Sequence, residues 1–128
     1  MQFLIHPGDE LPIYRQIMRQ ITEGIAGGRL RAGDKLASHR ELSEQLVVAP
    51  LTVKKAYDEL EALGYIETHR GRGTFVCAKL PKLDRSEQRD RVRQAARNLL
   101  SQAYLAGMEL DDVVQELHRA EREMKEKV

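Results

Sequence analysis

The chain has little of what builds disulfide frameworks, membrane spans or secretion signals. Its 128 residues include no tryptophan and a single cysteine, Cys77, so an internal disulfide is excluded. No uninterrupted apolar run approaches the ~20 residues that a membrane-spanning helix needs. The first residues, MQFLIHPGDELP, lack a basic region followed by a long apolar stretch. These absences predict a cytoplasmic protein with no membrane partner.

Residue types that form metal and catalytic sites are few and scattered. The four histidines, His6, His39, His69 and His118, lie far apart and lack the cysteine partners of a zinc site. There is no glycine-rich phosphate loop, no nucleophile elbow and no pair of acids in an apolar context. The sequence therefore predicts no metal, no cofactor and no enzymatic activity.

Positive charge is local rather than global. The net charge is only +1, and residues 1–80 carry 11 basic and 10 acidic side chains against 10 of each in residues 81–128. The segment from His69 to Lys79, however, contains Arg70, Arg72 and Lys79 and no acid. Local clustering of this kind matters more for a nucleic-acid footprint than the total charge does.

Three helices are predicted in the first half of the chain. The first is predicted to start near Leu11 or Pro12 and to end at Gly27 and Gly28, and the FLIH segment before it is predicted to be extended. Its predicted buried face, at three- and four-residue spacing, consists of Tyr14, Ile17, Ile21 and Ile25. Ser38-x-x-Glu41 is a capping box that begins a second helix, with Leu42 and Leu46 turned inward. Pro50 is suited to the first turn of a third helix, which Gly64 ends. Its predicted apolar side consists of Val53, Ala56, Tyr57, Leu60 and Leu63.

A tight hairpin follows the third helix. Short strands are predicted at residues 65–68 and 74–77, joined by a tip that is rich in glycine and arginine. A helix that can enter a groove, followed at once by a basic hairpin, is typical of a winged helix-turn-helix domain. We assign this domain to residues 1–79 and expect it to bind double-stranded DNA.

The last third predicts two amphipathic helices after a linker at residues 80–83, where Pro81 interrupts helix formation. Asp84-x-x-Glu87 is predicted to cap the first of these helices, and Asp111 and Asp112 are predicted to lie at the positive end of the dipole of the second. Helices of this size cannot bury their own apolar stripes, so the stripes must pack on the first domain or on a second chain. A two-fold four-helix bundle is the simplest solution. We therefore predict a dimerisation domain at 84–128, through Leu99, Ala103, Val113 and Leu117. The predicted fold class is mainly α with a small β-hairpin.

An ordered set of motifs resembles the DNA-binding domain of the GntR family of bacterial regulators: LPIYRQI, GRLRAGDKLASHRELSEQL and TVKKAYDELEALGYIETHRGRGTFV. The third motif and the short helical C-terminal part are similar to the YtrA subfamily. The resemblance implies a homodimeric transcription factor, usually a repressor and often of transporter genes. It leaves room for a small-molecule effector, which the residues do not identify.

Eight residues are candidates for DNA contact on the combined grounds of position and resemblance. In the recognition helix, 50–63, they lie in the first turns, whose side chains reach base edges. Arg40 matches an arginine that contacts DNA in the family, and the wing, 69–74, can reach phosphates or the minor groove. The candidates are Arg40, Thr52, Lys54, Lys55, Arg70, Gly71, Arg72 and Gly73. Each candidate also has an alternative without DNA contact. Lys54 and Lys55 would form a solvated helix face, Thr52 would cap its own helix, Arg40 would form an ion pair with Glu44, and Arg70 and Arg72 would be ordinary surface residues of the hairpin.

Three positions depart from the family pattern. Val47 stands where relatives usually have glycine, so a positive φ there would strain it. Ala49 removes an N-cap side chain worth about 1 kcal/mol, and Leu51 replaces a commonly polar residue. The loss of polar residues at Ala49 and Leu51 favours the alternative function, a winged-helix protein-interaction module that does not bind DNA, whereas the basic wing favours DNA.

Overall fold

The computed structural model describes residues 3–78 and 85–126. Within these ranges the chain forms five helices and three short strands. The described residues divide into two compact units, one of residues 3–78 with 124–126 and the other of residues 85–123. The elements are α1 (Ile13–Ala26), β1 (Lys35–Leu36), α2 (His39–Leu46), α3 (Pro50–Ala62), β2 (Ile66–His69), β3 (Gly73–Val76), α4 (Arg85–Leu105) and α5 (Leu110–Lys125). The mainly helical fold with a small sheet is confirmed. The linker at 80–83 lies outside the described residues, so the domain boundaries remain a prediction.

The first unit is built on the apolar faces of α1, α2 and α3. Ile17 and Ile21 of α1 are fully buried, as the spacing of apolar residues predicted. The core residues are Ile17, Ile21, Leu36, Leu42, Val53, Ala56, Tyr57, Leu60, Ile66 and Val76. Leu63 is an exception to the prediction, because it is the C-cap of α3 and its side chain is exposed. The buried stripe of α3 thus ends one turn earlier than the sequence indicated.

Two glutamine side chains fix the segment before α1. Gln20 accepts a hydrogen bond from the Leu4 N–H (2.9 Å) and donates one to the Leu4 carbonyl (2.7 Å). The buried Gln16 side chain likewise accepts a hydrogen bond from the His6 N–H and donates one to the His6 carbonyl, each at 2.9 Å. The segment forms no strand, but the amides satisfy its backbone groups as a neighbouring strand would.

The capping box of α2 is confirmed in part. The Ser38 hydroxyl accepts a hydrogen bond from the Glu41 N–H at 3.1 Å, which satisfies one of the donors that the start of a helix leaves unpaired. Leu42 behind it is buried, and Leu46 is half-buried against the core. The cap therefore fixes where α2 begins, and the burial of Leu42 and Leu46 shows which side of the helix faces the core.

The sheet has three strands in the order β1-β3-β2, all antiparallel. The hairpin strands lie one residue away from their predicted positions, and Ile66 pairs with Val76 while His69 pairs with Gly73. The sequence did not predict β1, because two residues are too few to show an alternating pattern. This strand pairs Lys35 with Phe75 and Leu36 with Thr74, so it covers the outer edge of β3.

The second unit contains α4 and all but the last two residues of α5, and Gly107 separates the two helices with a φ of +78°. The start of α5 is fixed by Asp112, whose carboxylate accepts a hydrogen bond from the Glu109 N–H at 2.9 Å. Asp111 and Asp112 also place negative charge at the positive end of the helix dipole, as predicted. The predicted cap Asp84 lies outside the described residues. Among residues 3–78 and 85–126, none of the helices has both the length and the apolar character of a membrane span.

Candidate nucleic-acid interface

Helix α3 has one side in the core and the opposite side open to solvent. The buried side consists of Val53, Ala56, Tyr57 and Leu60. The open side carries Leu51, Lys54, Lys55 and Asp58. Because residues three and four apart are neighbours on a helix surface, Leu51 and the two lysines form one continuous face at the start of α3. This is the face that a recognition helix presents to the major groove.

A tyrosine holds α3 in place from its buried side. The Tyr57 hydroxyl donates a hydrogen bond to the Ala37 carbonyl at 2.7 Å, which ties α3 to the segment just before α2. Burial, with a smaller contribution from Glu41, raises the pKa of Tyr57 well above its usual value. A tyrosine hydroxyl is a donor at neutral pH in any case, and the raised pKa keeps it a donor at more alkaline pH as well.

Each lysine of this face has a local partner. Lys54 Nζ lies 2.7 Å from Asp58 Oδ2, and both side chains are about half exposed. Exposed pairs at this spacing contribute only about 0.3–0.5 kcal/mol, so a phosphate or base edge can replace Asp58 at small cost. Lys55 Nζ lies 4.3 Å from the centroid of the Tyr14 ring on α1. This cation–π contact directs the Lys55 ammonium toward α1 rather than outward.

Arg40 and Thr52 differ in their solvent exposure. Arg40 is exposed on α2 and forms no ion pair with Glu44, so that alternative is not realised in the structure. Thr52 is half-buried in the first turn of α3, where its N–H donates to the Ala49 carbonyl at 3.0 Å. Arg40 is thus an available cation, whereas only part of the Thr52 side chain is accessible.

The wing is a tight turn that carries two solvent-exposed arginines. The Arg72 N–H donates to the His69 carbonyl at 2.9 Å, and Gly71 has a φ of +80°, which glycine adopts without steric cost. Arg70 and Arg72 are exposed and have no ion-pair partner among the residues that the structure describes. The hairpin therefore presents two unneutralised guanidinium groups at its tip.

Lys35 is a third cation at the wing that the sequence did not reveal. A β-carbon on Gly73 would lie 2.9 Å from Lys35 Cε, so the lysine stem passes directly over the glycine backbone. Gly73, with a φ of +123°, thus provides both the backbone conformation and the space for this side chain. Only the pairing of β1 with β3 brings Lys35 here, and a two-residue strand gives no sequence signal that could have located it.

The turn between α2 and α3 confirms the expected strain at Val47. Val47 has φ +54° and ψ +48° and is 91% exposed, and no other non-glycine residue described here has a positive φ. Ala49 is the N-cap of α3 and provides no side-chain hydrogen bond. The start of the recognition helix therefore lacks two features that would stabilise it locally, and packing of α3 has to hold it.

Replacing the strained valine should stabilise the protein. The left-handed conformation costs an L-residue about 1–2 kcal/mol, and the extra freedom of unfolded glycine offsets about 0.5–1 kcal/mol of the relief. We expect Val47→Gly to raise the free energy of unfolding by about 0.5–1 kcal/mol, measured by urea denaturation with an unchanged m-value. Val48→Gly, at a half-buried neighbour without the positive φ, is the control and should destabilise. A loss of stability in Val47→Gly would contradict the strain.

Comparison with known proteins decides the family. The model for bacterial regulatory proteins of the gntR family matches residues 13–76. The chain is also 39% identical over 107 residues to the HTH-type transcriptional repressor YtrA of Bacillus subtilis, covering 84% of this chain and 82% of that protein. The chain belongs to the GntR family. It is a DNA-binding transcriptional regulator of YtrA-like type and not an enzyme.

Two solved structures extend the likeness of this GntR-family chain. A transcriptional antiterminator from Listeria monocytogenes EGD-e matches 100% of this chain and 96% of its own, with a TM-score of 0.82 and 29% identity. AraR(DBD) in complex with operator ORX1 matches 60% of this chain and 96% of its own, with a TM-score of 0.53 and 31% identity. The second structure is that of a related protein in complex with its operator.

The predicted dimerisation residues of this GntR-family chain fall into two groups. Ala103 and Val113 are buried within the single chain. Leu99 and Leu117 are 36% and 52% exposed. Any contact with a second chain would therefore involve Leu99 and Leu117 directly, while Ala103 and Val113 support them from inside. The dimer itself remains a prediction.

The remaining reactive side chains suggest no second kind of site. Burial, and then Glu67 and Glu61, raise the pKa of the Cys77 thiol, which disfavours the reactive thiolate. Within the described ranges, no three His, Cys, Asp or Glu side chains are placed to hold a metal ion. The exposed basic groups of the winged unit are its most distinctive chemistry.

Proposed function

We propose that this chain is a homodimeric, sequence-specific repressor that binds an inverted-repeat operator through the recognition helix (50–63) and the basic wing (69–74). The coarser part, DNA binding by a GntR-family regulator, follows from its family. The repressor role and a transporter-type target operon rest on the likeness to YtrA. A cytoplasmic location is part of the same proposal. A small-molecule effector remains a prediction without a named ligand.

The observation that carries the proposal is the open charge of the wing. Arg70 and Arg72 flank Gly71 in the wing turn, and neither has an ion-pair partner among the described residues. Lys35 lies against Gly73 of the same turn. Exposed like charges on one surface repel one another weakly and create a positive potential that attracts an anion. The phosphates of a DNA duplex are such anions, and binding them releases condensed counterions.

Dimerisation is supported by the helical unit. Leu99 on α4 and Leu117 on α5 leave apolar surface exposed in the single chain, together with Val92, Leu110 and Val114. A second copy can bury this surface in a two-fold four-helix bundle. A two-fold protein presents two recognition helices related by symmetry, so its preferred operator is an inverted repeat.

Gel shift and footprinting on the DNA upstream of the chain's own gene test the proposal. We expect a protected inverted repeat whose half-site centres are separated by about 10–10.5 base pairs or a multiple of that, because each half-site must face the same side of the duplex. A single asymmetric half-site bound by a monomer would contradict the dimeric mode. Failure to shift any duplex in preference to random DNA would contradict the function.

One observation favours the alternative function. Ala49 and Leu51 leave the entrance of the recognition helix without the polar groups expected there, and Leu51 is 78% exposed. A protein-interaction module would use such a surface to bind another protein without DNA. The same gel shift separates the two functions, because a module of that kind has no sequence preference on DNA.

A further inference from the structure

The exposed Leu51 is the most unusual side chain on the recognition helix. It lies in the first turn of α3, on the open face with Lys54 and Lys55, and 78% of it is accessible. The fold gains almost nothing from a leucine at this position, since the core is on the opposite side of the helix. Its apolar surface is therefore available to an external partner.

We propose that Leu51 reads thymine through the C5-methyl group in the major groove, so that each half-site carries a required thymine under the start of α3. This inference rests on the proposed DNA-binding function and names one of its specificity determinants. The first residues of a recognition helix contact base edges. A leucine has no donor or acceptor, and the thymine methyl is the apolar group that the major groove offers.

The neighbouring residues leave this contact open. Ala49 is small and exposed, so it does not cover Leu51, and Thr52 is half-buried. Lys54 and Lys55 have local partners in Asp58 and the Tyr14 ring. Leu51 is therefore the largest exposed apolar side chain in the first turn of α3, since its exposed neighbours Ala49 and Pro50 are smaller. A polar base edge placed against it would lose its water without gaining a hydrogen bond, which disfavours other bases.

The test uses operators that lack single methyl groups. Duplexes are first selected from a random library by the full-length protein, and each thymine is then replaced in turn by deoxyuridine, which removes only the methyl. We expect one replacement per half-site to weaken binding about fourfold, the effect of burying one methyl-sized group, and about fifteenfold when both half-sites are changed. Replacement of thymines elsewhere should have little effect.

Two variants assign the effect to the side chain. Leu51→Ala should bind the thymine and uracil operators equally, because the group that contacts the methyl is gone. Leu63→Ala removes an exposed leucine from the other end of the same helix and should keep the uracil penalty. Equal thermal unfolding midpoints for both variants would show that the fold is retained.

The outcomes separate the inference from the function on which it rests. If the wild type binds uracil operators as tightly as thymine operators, or if Leu51→Ala keeps the penalty, the reading of thymine by Leu51 is overturned while operator binding stands. If the protein enriches no duplex sequence at all, the proposed function fails and the inference fails with it. Leu51 would then belong to a protein-docking surface.

Discussion

Leu117→Asp is expected to convert the proposed dimer into monomers. The leucine is about half exposed in the single chain, so a second copy has to cover it if α4 and α5 form a two-fold bundle. An aspartate there would bring an unpaired charge into an apolar interface, which costs several kcal/mol. Since about 1.4 kcal/mol corresponds to a factor of ten, the dissociation constant should rise by more than a hundredfold. Sedimentation velocity over a range of protein concentrations measures the change.

The matched control is Gln115→Asp, which adds the same charge to an exposed polar position of α5. It should remain dimeric. Circular dichroism of Leu117→Asp is needed as well, because α4 and α5 have few buried residues of their own, with only Ala103 and Val113 buried among the apolar residues described there. A folded Leu117→Asp protein that still sediments as a dimer would place the interface on another surface.

The fold could be predicted largely because its signals are local. The Ser38 cap, Pro50 at the start of α3 and Gly64 after it each determine a helix boundary through short-range chemistry. The apolar spacing of α1 likewise predicted that Ile17 and Ile21 are buried. Even the strain at Val47 was foreseeable, because a helix-ending turn requires a positive φ that valine adopts only at a cost.

The details of the candidate interface could not be predicted because they depend on contacts between distant residues. Lys35 reaches the wing only through the pairing of β1 with β3, 38 residues apart at Leu36 and Thr74. Lys55 is turned toward Tyr14, which lies 41 positions earlier in the chain and is brought close by the packing of α1 on α3. The sequence identified most of the basic residues, but not which of them point outward.

Removing the three wing cations, Lys35, Arg70 and Arg72, should lower the affinity for every DNA sequence. It should also reduce the dependence of that affinity on salt concentration. Each phosphate contact contributes about 0.9 to the slope of log affinity against log salt. The combined variant Lys35→Ala, Arg70→Ala and Arg72→Ala should therefore lower the slope by about 2.7 for each protomer, and by about 5.4 for a dimer. Operator and random duplex should lose affinity alike, because phosphates carry no sequence information. Arg122→Ala, which removes a cation from α5, is the control and should leave the slope unchanged.

The recognition helix should respond differently, and the contrast is the decisive measurement. Lys54 can exchange Asp58 for a base edge, so Lys54→Ala should cost about 1–3 kcal/mol on the operator and flatten the preference for one sequence. Its effect on random duplex should be small. Binding isotherms for both variants, on both DNAs and across a salt series, provide the comparison. Equal losses on operator and random DNA for Lys54→Ala would make Lys54 a phosphate contact, and sequence discrimination would then depend on other residues of the open face, Leu51 first among them.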